Sequence, residues 1–550
     1  MTKNRSIYFG LFPSVIRIAT ILVFSLILTI VVVRYSSEHG KLAIPPDYDD
    51  SHSLVEGGLR YLLWKQDGLA AAWQHYVKEP PHSFLHYYLT AGLFAIFGIH
   101  QSVPYWFSGV FLFCAASGLG LLLRGIRLLR FVVLLGVLFC IPVMFNIVFD
   151  YRSECGMAAL LLLACCLAIK SAWTTHQDRT LAIISGIFFA LCLGMKPAMF
   201  IYVLGMLFCS CAVWIAAAFW RRDGSLMRAM QNAVIALIVG IVPFSFHYYL
   251  NANEIFVYIH SNAFTKNVWT QTGTFADQLL FHLTGYAGQF ELGAFTWPLI
   301  AIMILGAAGS LVFKKKLNRE LQRYLWSAIF LTVMAYAGVA INSIDQPYFG
   351  MTFDLLLGAS AAIAVATLSD LLPRYLADAV CVLIAALSLM AWRVPLSQDY
   401  LARTRAAGGD AALEWRRTGP QKVFQLVRSA WHQDGPPKIW VSAYGWVDGN
   451  TITWEALKNG LPWKMWTFFS RVQNPSKEHP IPEWPDIYIV SEPGVMGTVD
   501  LPWGKGIPSA METAAKDKTL ELVGSVSDPN GRFMLVYLRR GMITDHRVRE

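Results

Sequence analysis

Apolar residues recur between residue 13 and about residue 395 in runs that are separated by short polar connections. A helix needs roughly 20 apolar residues to cross a lipid bilayer, and most of these runs approach that length. The pattern therefore predicts a mainly α protein with a polytopic helical membrane domain of about eleven spans. The predicted spans are residues 13–33, 103–123, 131–149, 155–170, 180–196, 198–219, 231–250, 293–313, 324–342, 349–369 and 375–394.

One apolar stretch, residues 83–98, is short for a span and carries His86 and Tyr87 near its start. If this stretch crossed the membrane, every later cluster of basic residues would move to the outer face. We therefore predict a helix that lies in the outer membrane interface, with Leu89 and Leu93 on its apolar side.

Basic residues gather on alternate connections between the predicted spans, and such connections usually face the cytoplasm. This rule places the loop at residues 34–102 and the tail after residue 395 on the outer face. We expect the protein in the inner membrane of a bacterium, with the tail in the periplasm. The basic clusters are Lys3 and Arg5; Arg124, Arg127 and Arg130; Lys170 and Arg179; Arg221, Arg222 and Arg228; Lys314, Lys315, Lys316 and Arg319; and Arg374.

The tail differs in character from the rest of the chain. It contains a predicted helix at residues 421–431 and Pro/Gly-rich loops, and apolar runs there are short and strand-like. The predicted strands are residues 438–443, 487–491, 520–526 and 533–538. We predict two domains, a transmembrane domain at residues 1–398 and a small soluble α/β domain at residues 399–550.

Composition supports the membrane assignment and excludes a soluble globule. Hydrophobic residues make up 55% of the 550 positions and charged residues only 15%, and the mean hydropathy is +0.45. The net charge of +9 lies mainly in short cytoplasmic turns, where it favours anionic lipid headgroups rather than nucleic acid. All nine cysteines fall in or beside apolar runs, so no disulfide framework is predicted for the tail.

An acidic cluster directly follows the first predicted span. Asp47, Asp49 and Asp50 lie within four residues of one another. Carboxylates that are so close repel one another, and repulsion raises a pKa or recruits a cation. The cluster is therefore a candidate for acid-base or metal chemistry, although acidic residues of an external loop can also be simply solvated.

Further polar residues occur at the predicted outer ends of later spans. Asp150, Arg152 and Glu154 alternate along one turn, where they form either a local ion-pair network or a functional site. Lys196 lies between two apolar runs, and a lysine there must reach the surface or meet an anion such as a lipid phosphate. Tyr348 belongs to another polar connection between two spans.

Taken in order, these motifs resemble the GT-C class of integral-membrane glycosyltransferases, in particular the protein O-mannosyltransferases and the bacterial aminoarabinose transferases. The resemblance covers the chain to about residue 200, and beyond that it rests on topology. The acidic pair is Asp-Asp where Asp-Glu is more usual in the class. The motifs are Asp49-Asp50, Glu56-Gly57-Gly58, Pro80-Pro81, His86-Tyr87-Tyr88, Arg152-x-Glu154 and Gly194-Met195-Lys196-Pro197.

The resemblance implies transfer of a sugar from a polyprenyl-phosphate donor to a glycan, lipid or protein acceptor at the outer face, with inversion. It implies that Asp49 is the general base and that Asp50 orients the acceptor or helps Asp49 to hold a divalent metal cation. Lipids of the membrane are further partners, and nucleic acid is not expected. The implied donor-binding residues are Lys196, Arg152, Lys78, Asp150, Glu154, His86, Tyr87 and Tyr348.

Two other functions stay open at this point. A transporter or flippase for a lipid-linked glycan would place ionisable residues near the bilayer midplane and have related halves. A polymerase or ligase of lipid-linked glycans would carry its chemistry in a late external loop, and residues 251–292 contain His260, Lys266 and His282.

Overall fold

The computed structural model contains two compact units. It describes residues 3–46, 48–78, 83–174, 178–221, 225–253, 255–257, 274–340, 347–393, 398–433, 435–467, 481–498 and 507–540. The first unit, here the membrane unit, comprises Met1–Val33, Glu79–His86 and Tyr105–Pro395. The second unit comprises Arg34–Lys78, Tyr87–Pro104 and Leu396–Glu550. The domain boundary predicted at residues 398 and 399 stays a prediction.

The described residues form long helices and a few short strands. In chain order the helices are α1 (Lys3–Glu38), α2 (Tyr48–Lys78), α3 (Phe84–Phe97), α4 (Ser102–Leu122), α5 (Leu128–Cys140), α6 (Pro142–Phe149), α7 (Ser153–Trp173), α8 (Arg179–Met195), α9 (Phe200–Arg221), α10 (Leu226–Ile241), α11 (Ser245–Leu250), α12 (Phe275–Phe281), α13 (Tyr286–Glu291), α14 (Thr296–Val312), α15 (Arg319–Ala340), α16 (Met351–Leu368), α17 (Arg374–Ala391), α18 (Tyr400–Ala430), α19 (Gly449–Lys458) and α20 (Ile507–Lys516). The strands are β1 (Ile439–Val441), β2 (Met465–Thr467), β3 (Ile487–Ser491), β4 (Leu520–Ser527) and β5 (Phe533–Arg539).

The prediction of a polytopic helical membrane protein is confirmed. Among the described residues, nine helices are long and apolar enough to cross a membrane. Helices α5 and α6, which are bent by 63° where Pro142 starts the second helix, are long and apolar enough only when they are counted as one span. Proline lacks the N–H group that would continue the first helix, which explains the bend. The remaining predicted span corresponds to α8, an apolar helix that is slightly shorter.

Two helices lie at the centre of the membrane unit. In the apolar stretch of α7, 94% of the residues are buried, and in that of α16 89% are buried, whereas in α17 the share is only 17%. Helices that are surrounded by other helices can carry polar residues away from lipid, since neighbouring helices supply their partners. The first turns of α7 and α16 each contain a buried carboxyl, Glu154 and Asp354.

The tail forms the predicted α/β fold around a five-stranded mixed sheet. Its strand order is β2-β1-β3-β5-β4, in which β1 pairs in parallel with β2 and β3, and β5 pairs antiparallel with β3 and β4. The four predicted strands are present, and the predicted helix at residues 421–431 is the end of α18. Its Val423 and Phe424 pack into the core of the sheet. The sequence did not predict β2, α19 or α20.

The connection between the first two spans is more ordered than predicted. It forms two helices, α2 and α3, of which α2 is broken at Gly68, where φ is 81°. This left-handed conformation favours glycine because a Cβ would be strained there. Gly57 lets α2 approach α3, since an added Cβ would collide with Thr90. The predicted helix at residues 83–98 is present as α3, and its place in the membrane interface stays a prediction.

Candidate functional site

A buried ion pair joins two of the predicted site residues in the membrane unit. Lys196 directly follows α8 and precedes Pro197, and Glu154 lies in the first turn of α7. The Lys196 Nζ is 2.8 Å from Glu154 Oε1, and the two side chains are only 14% and 7% exposed. Lys196 therefore has an anionic protein partner and does not simply extend to the surface. An ammonium group held in this way is positioned before any ligand binds.

A second cation lies beside this pair. Arg152 is the residue before α7, and its guanidinium carbon is 3.8 Å from the centre of the Tyr348 ring. At that distance the ring face attracts the cation and fixes its orientation. The charges of both Arg152 and Lys196 act on the Glu154 carboxylate. The structure thus brings together four residues that the sequence predicted from separate regions, with two positive charges around one buried carboxylate.

Asp150 and Glu291 extend the cluster with further carboxyls. Asp150 is 1% exposed at the end of α6, where its backbone N–H donates to the Asn146 carbonyl oxygen. Asn146 Nδ2 donates to Glu291 Oε2 over 3.1 Å and to the Phe290 carbonyl oxygen over 3.2 Å. Asn146 and Glu291 were not predicted from the sequence, because one asparagine in an apolar run and one glutamate in a loop carry no motif.

Glu291 is completely buried, and its environment favours the neutral acid. Burial raises the pKa of Glu291 to about 8, and the nearby Asp150 carboxylate adds to this effect. The hydrogen bond from Asn146 and the charge of Arg152 act in the opposite direction. Most Glu291 side chains are therefore protonated at neutral pH, so that this residue can both donate and accept hydrogen bonds.

We expect Glu291→Gln to change how stability depends on pH. The folded protein holds the Glu291 proton more tightly than the unfolded chain does, so the free energy of unfolding should fall as pH rises from 4.5 to about 8. Glutamine has no such proton. Thermal unfolding of both proteins in detergent should therefore show a gap in favour of the glutamine variant that is absent at about pH 5 and widens towards about pH 9. Parallel melting temperatures over this range would contradict the assignment.

His86 also lies in the membrane unit, and Tyr87 lies in the second unit. The His86 ring is fully buried, and its centre is 4.4 Å from the centre of the Tyr151 ring. Tyr151 lies between Asp150 and Arg152 in the sequence. Tyr87 is 3% exposed and packs against His52, with ring centres 5.6 Å apart. His86 and Tyr87 are adjacent in one motif but therefore have different neighbours.

In the second unit, Asp50 forms a buried ion pair. Its Oδ2 atom is 3.0 Å from Lys41 Nζ, and the two side chains are 1% and 2% exposed. Asp49 lies in the first turn of α2, and its side chain is outside the described residues, as is Asp47 altogether. Lys78 is the exposed last residue of α2. The predicted catalytic roles of Asp49 and Asp50 stay predictions.

Glu56, which follows the acidic pair, is also buried and fully paired. Its carboxylate contacts Arg60, and Lys464 Nζ is 3.0 Å from Glu56 Oε1. Although burial alone would raise the pKa of Glu56, the charges of Lys464 and Arg60 hold it well below its usual range. Lys464 comes from the tail, so this ion pair fastens the first connection to the sheet domain within the second unit.

The described residues contain no group of three or more His, Cys, Asp or Glu side chains that could hold a metal ion. The side chain of Asp49 is not among them, so the predicted divalent cation stays a prediction. All nine cysteines lie in the described part of the chain and are free.

Comparisons with known proteins identify the fold. No protein-family model matches the sequence. No curated protein matches it either. Two crystal structures of ArnT from Cupriavidus metallidurans, an aminoarabinose transferase of the GT-C class, are similar to this chain with 12% sequence identity. The structure bound to undecaprenyl phosphate has a TM-score of 0.54 and a match that covers 96% of this chain and 99% of ArnT. The apo structure has a TM-score of 0.55, with 96% and 98% covered. The chain therefore has the fold of a GT-C glycosyltransferase, as its early motifs predicted.

Proposed function

We propose that the protein is a membrane glycosyltransferase that moves a sugar from a polyprenyl-phosphate donor to a glycan, lipid or protein acceptor. The observation that carries this proposal is the pair of cations, Lys196 and Arg152, held around the buried Glu154. The fold shared with ArnT supports it, since ArnT was crystallised with undecaprenyl phosphate. We place the reaction at the outer face of a bacterial inner membrane, with the tail in the periplasm.

The two cations suit a leaving phosphate. When the bond between the sugar and the phosphate breaks, negative charge grows on the phosphate oxygens, and cations fixed in advance stabilise that charge. Glu154 keeps the Lys196 ammonium in place without neutralising both cations, because Arg152 supplies a second charge. The Tyr348 ring, 3.8 Å from the Arg152 guanidinium carbon, orients that group. The surroundings are buried, where electrostatic interactions are stronger than in water.

Asp49 remains our candidate for the general base. It would take the proton of an acceptor hydroxyl while the hydroxyl oxygen bonds to the anomeric carbon, and the bond from that carbon to the phosphate would break. Attack from the side opposite the phosphate inverts the configuration, and the polyprenyl phosphate leaves with the electron pair. We assign Asp50 a positioning role, because its carboxylate is already bound to Lys41. Lys78, Tyr87, His86 and Asp150 remain candidate donor-binding residues.

A transfer assay tests this function. The full-length protein in lipid nanodiscs would be given polyprenyl phosphate carrying a radiolabelled sugar, together with bacterial membrane extract as a source of acceptor. We expect label on a new product that carries one sugar, with an equal amount of polyprenyl phosphate released. Long polymeric products would favour a polymerase. Movement of the intact donor between leaflets without release of polyprenyl phosphate would favour a flippase and contradict the proposal.

A further inference from the structure

Several buried polar atoms near Tyr348, the Thr352 hydroxyl among them, have no hydrogen-bond partner within the part of the chain that the structure describes, and three of them belong to carboxyl or imidazole side chains. These three are Glu291 Oε1, Asp354 Oδ1 and His282 Nδ1. Their residues are 0%, 1% and 3% exposed. A buried polar atom without a partner costs about 1–3 kcal/mol, and more if it is charged, so three of them in one region need an explanation.

These three residues border the same short segment, residues 348–354. Phe290, next to Glu291, packs edge-on against Tyr348 with ring centres 5.6 Å apart. A side chain at Gly350 would collide with the His282 ring. Asp354 lies four residues further on in α16, where the charge of Glu291 acts on it. The segment therefore connects the unpaired atoms to Tyr348 and, through its ring, to Arg152.

A proton shared between the two carboxyls does not explain these oxygens. If Glu291 and Asp354 shared a proton through these oxygens, each oxygen would be the other's partner, yet both have none. The described residues contain no group of three His, Cys, Asp or Glu side chains that could hold a metal ion. The two oxygens therefore do not satisfy each other, and within the described residues they are available to hydrogen-bond donors of water or of a ligand.

We propose that Glu291 and Asp354 bind the sugar of the donor, and that their unpaired oxygens accept hydrogen bonds from hydroxyl groups of an uncharged sugar. This inference rests on the proposed function, in which Lys196 and Arg152 hold the phosphate of the same donor. Asn146 fixes Glu291 through Oε2, which leaves Oε1 for the ligand. A bare polyprenyl phosphate lacks this sugar and should not contact the two carboxyls.

The protonation of the site favours an uncharged sugar over an amino sugar. Burial raises the pKa of Glu291 to about 8, so the neutral acid, which both donates and accepts, prevails at pH 7. Burial lowers the pKa of His282 to about 4, so its ring is neutral as well. Hydroxyl groups also donate and accept, and they complement such a surface. A sugar ammonium group would instead require ionised carboxylates.

The experiment compares two lipids on the full-length protein in nanodiscs, undecaprenyl phosphate and undecaprenyl phosphate glucose. We expect Glu291→Met and Asp354→Leu each to weaken binding of the glucosylated lipid about tenfold, the effect of losing one buried hydrogen bond, and to leave the bare lipid within about twofold. Glu291→Gln should retain most of the affinity, since glutamine also donates and accepts. Glu320→Gln, which alters a carboxyl of the separate Lys170 ion pair, is the control and should change neither.

Each of the following outcomes would contradict a specific part of the proposal. Equal weakening of both lipids would show a structural role for these carboxyls, and no change with either lipid would show that they bind only water. Tighter binding of undecaprenyl phosphate aminoarabinose than of the glucosylated lipid, lost in Glu291→Met, would overturn the uncharged-sugar assignment. If the unaltered protein binds none of these lipids, the proposed function itself fails. If a variant does not fold, a cryo-electron microscopy map of the unaltered protein with the glucosylated lipid replaces the binding test. The proposal predicts that the sugar contacts Glu291 and Asp354 in this map, and a sugar bound elsewhere would contradict it.

Discussion

Replacing Lys196 with methionine should strongly lower the rate of sugar transfer and also destabilise the membrane unit. The variant removes one of the two cations proposed for the leaving phosphate, and loss of such a group lowers a rate by a factor on the order of a hundred to a thousand. It also leaves the Glu154 carboxylate buried without its 2.8 Å partner. Breaking a buried ion pair in this way costs about 3–5 kcal/mol. Initial rates of transfer and thermal unfolding in detergent measure the two effects separately.

The double variant Lys196→Met/Glu154→Gln separates structure from chemistry. Removing both charges leaves no buried unpaired ion, so we expect most of the lost stability to return. Transfer should stay as low as in the single variant, because the cation is still absent. Arginine at position 196 should retain part of the activity. If the double variant recovers both stability and transfer, Lys196 serves only to neutralise Glu154, and the proposed phosphate role is incorrect.

Asp49→Asn should lower the rate of transfer without changing stability, whereas Asp50→Asn should lower stability, although the two residues are neighbours. Asparagine at position 49 cannot take a proton, so we expect transfer to fall by a factor on the order of a hundred to ten thousand, with an unchanged melting temperature. Asparagine at position 50 leaves Lys41 buried with no opposing charge on Asp50. We expect this variant to lose about 3–5 kcal/mol of stability. Transfer rates and thermal unfolding of the two proteins, purified in parallel, provide the comparison.

A further variant, Asp50→Asn/Lys41→Met, is the matched control for the second result. With both buried charges removed, stability and transfer should recover together, because Asp50 acts by positioning. Full transfer activity of Asp49→Asn would remove Asp49 from the mechanism. A loss of transfer in the stable Asp50→Asn/Lys41→Met protein would instead make Asp50 a catalytic residue.

The membrane part of the fold was predictable because the length and polarity of an apolar run are local properties of the chain. The bend between α5 and α6 is local too, since it follows from Pro142. Strands β3, β4 and β5 were predicted for the same reason, as short apolar runs between turn residues. Strand β2 and the helices α19 and α20 were not predicted from the sequence.

The partners of the charged residues could not be predicted in this way. Lys196 was recognised as a cation that needs an anion, but its partner Glu154 is 42 positions away and only the folded chain selects it. Glu291 is joined to Asn146 across 145 positions. Long-range pairs of this kind depend on how helices pack, and one sequence contains no record of that packing. The sequence therefore indicated which residues carry charge, and the structure shows which of them meet.

The pairing of Lys41 with Asp50 illustrates the same limit at short range. In the sequence, Asp49 and Asp50 form one acidic pair, because both directly follow the first predicted span. The structure buries Asp50 against a lysine nine residues earlier. Whether a carboxylate is solvated or paired depends on its burial, and neighbouring residues of a helix point in different directions, about 100° apart around its axis. Adjacent residues of one motif can for this reason have different tasks.

The most direct test of the central claim is a cryo-electron microscopy map of the full-length protein in nanodiscs with undecaprenyl phosphate. The account predicts that the lipid phosphate lies within about 3 Å of both Lys196 Nζ and the Arg152 guanidinium, the distance of a charge-assisted hydrogen bond. A phosphate bound elsewhere, with Lys196 and Arg152 in contact only with Glu154 and Tyr348, would contradict it.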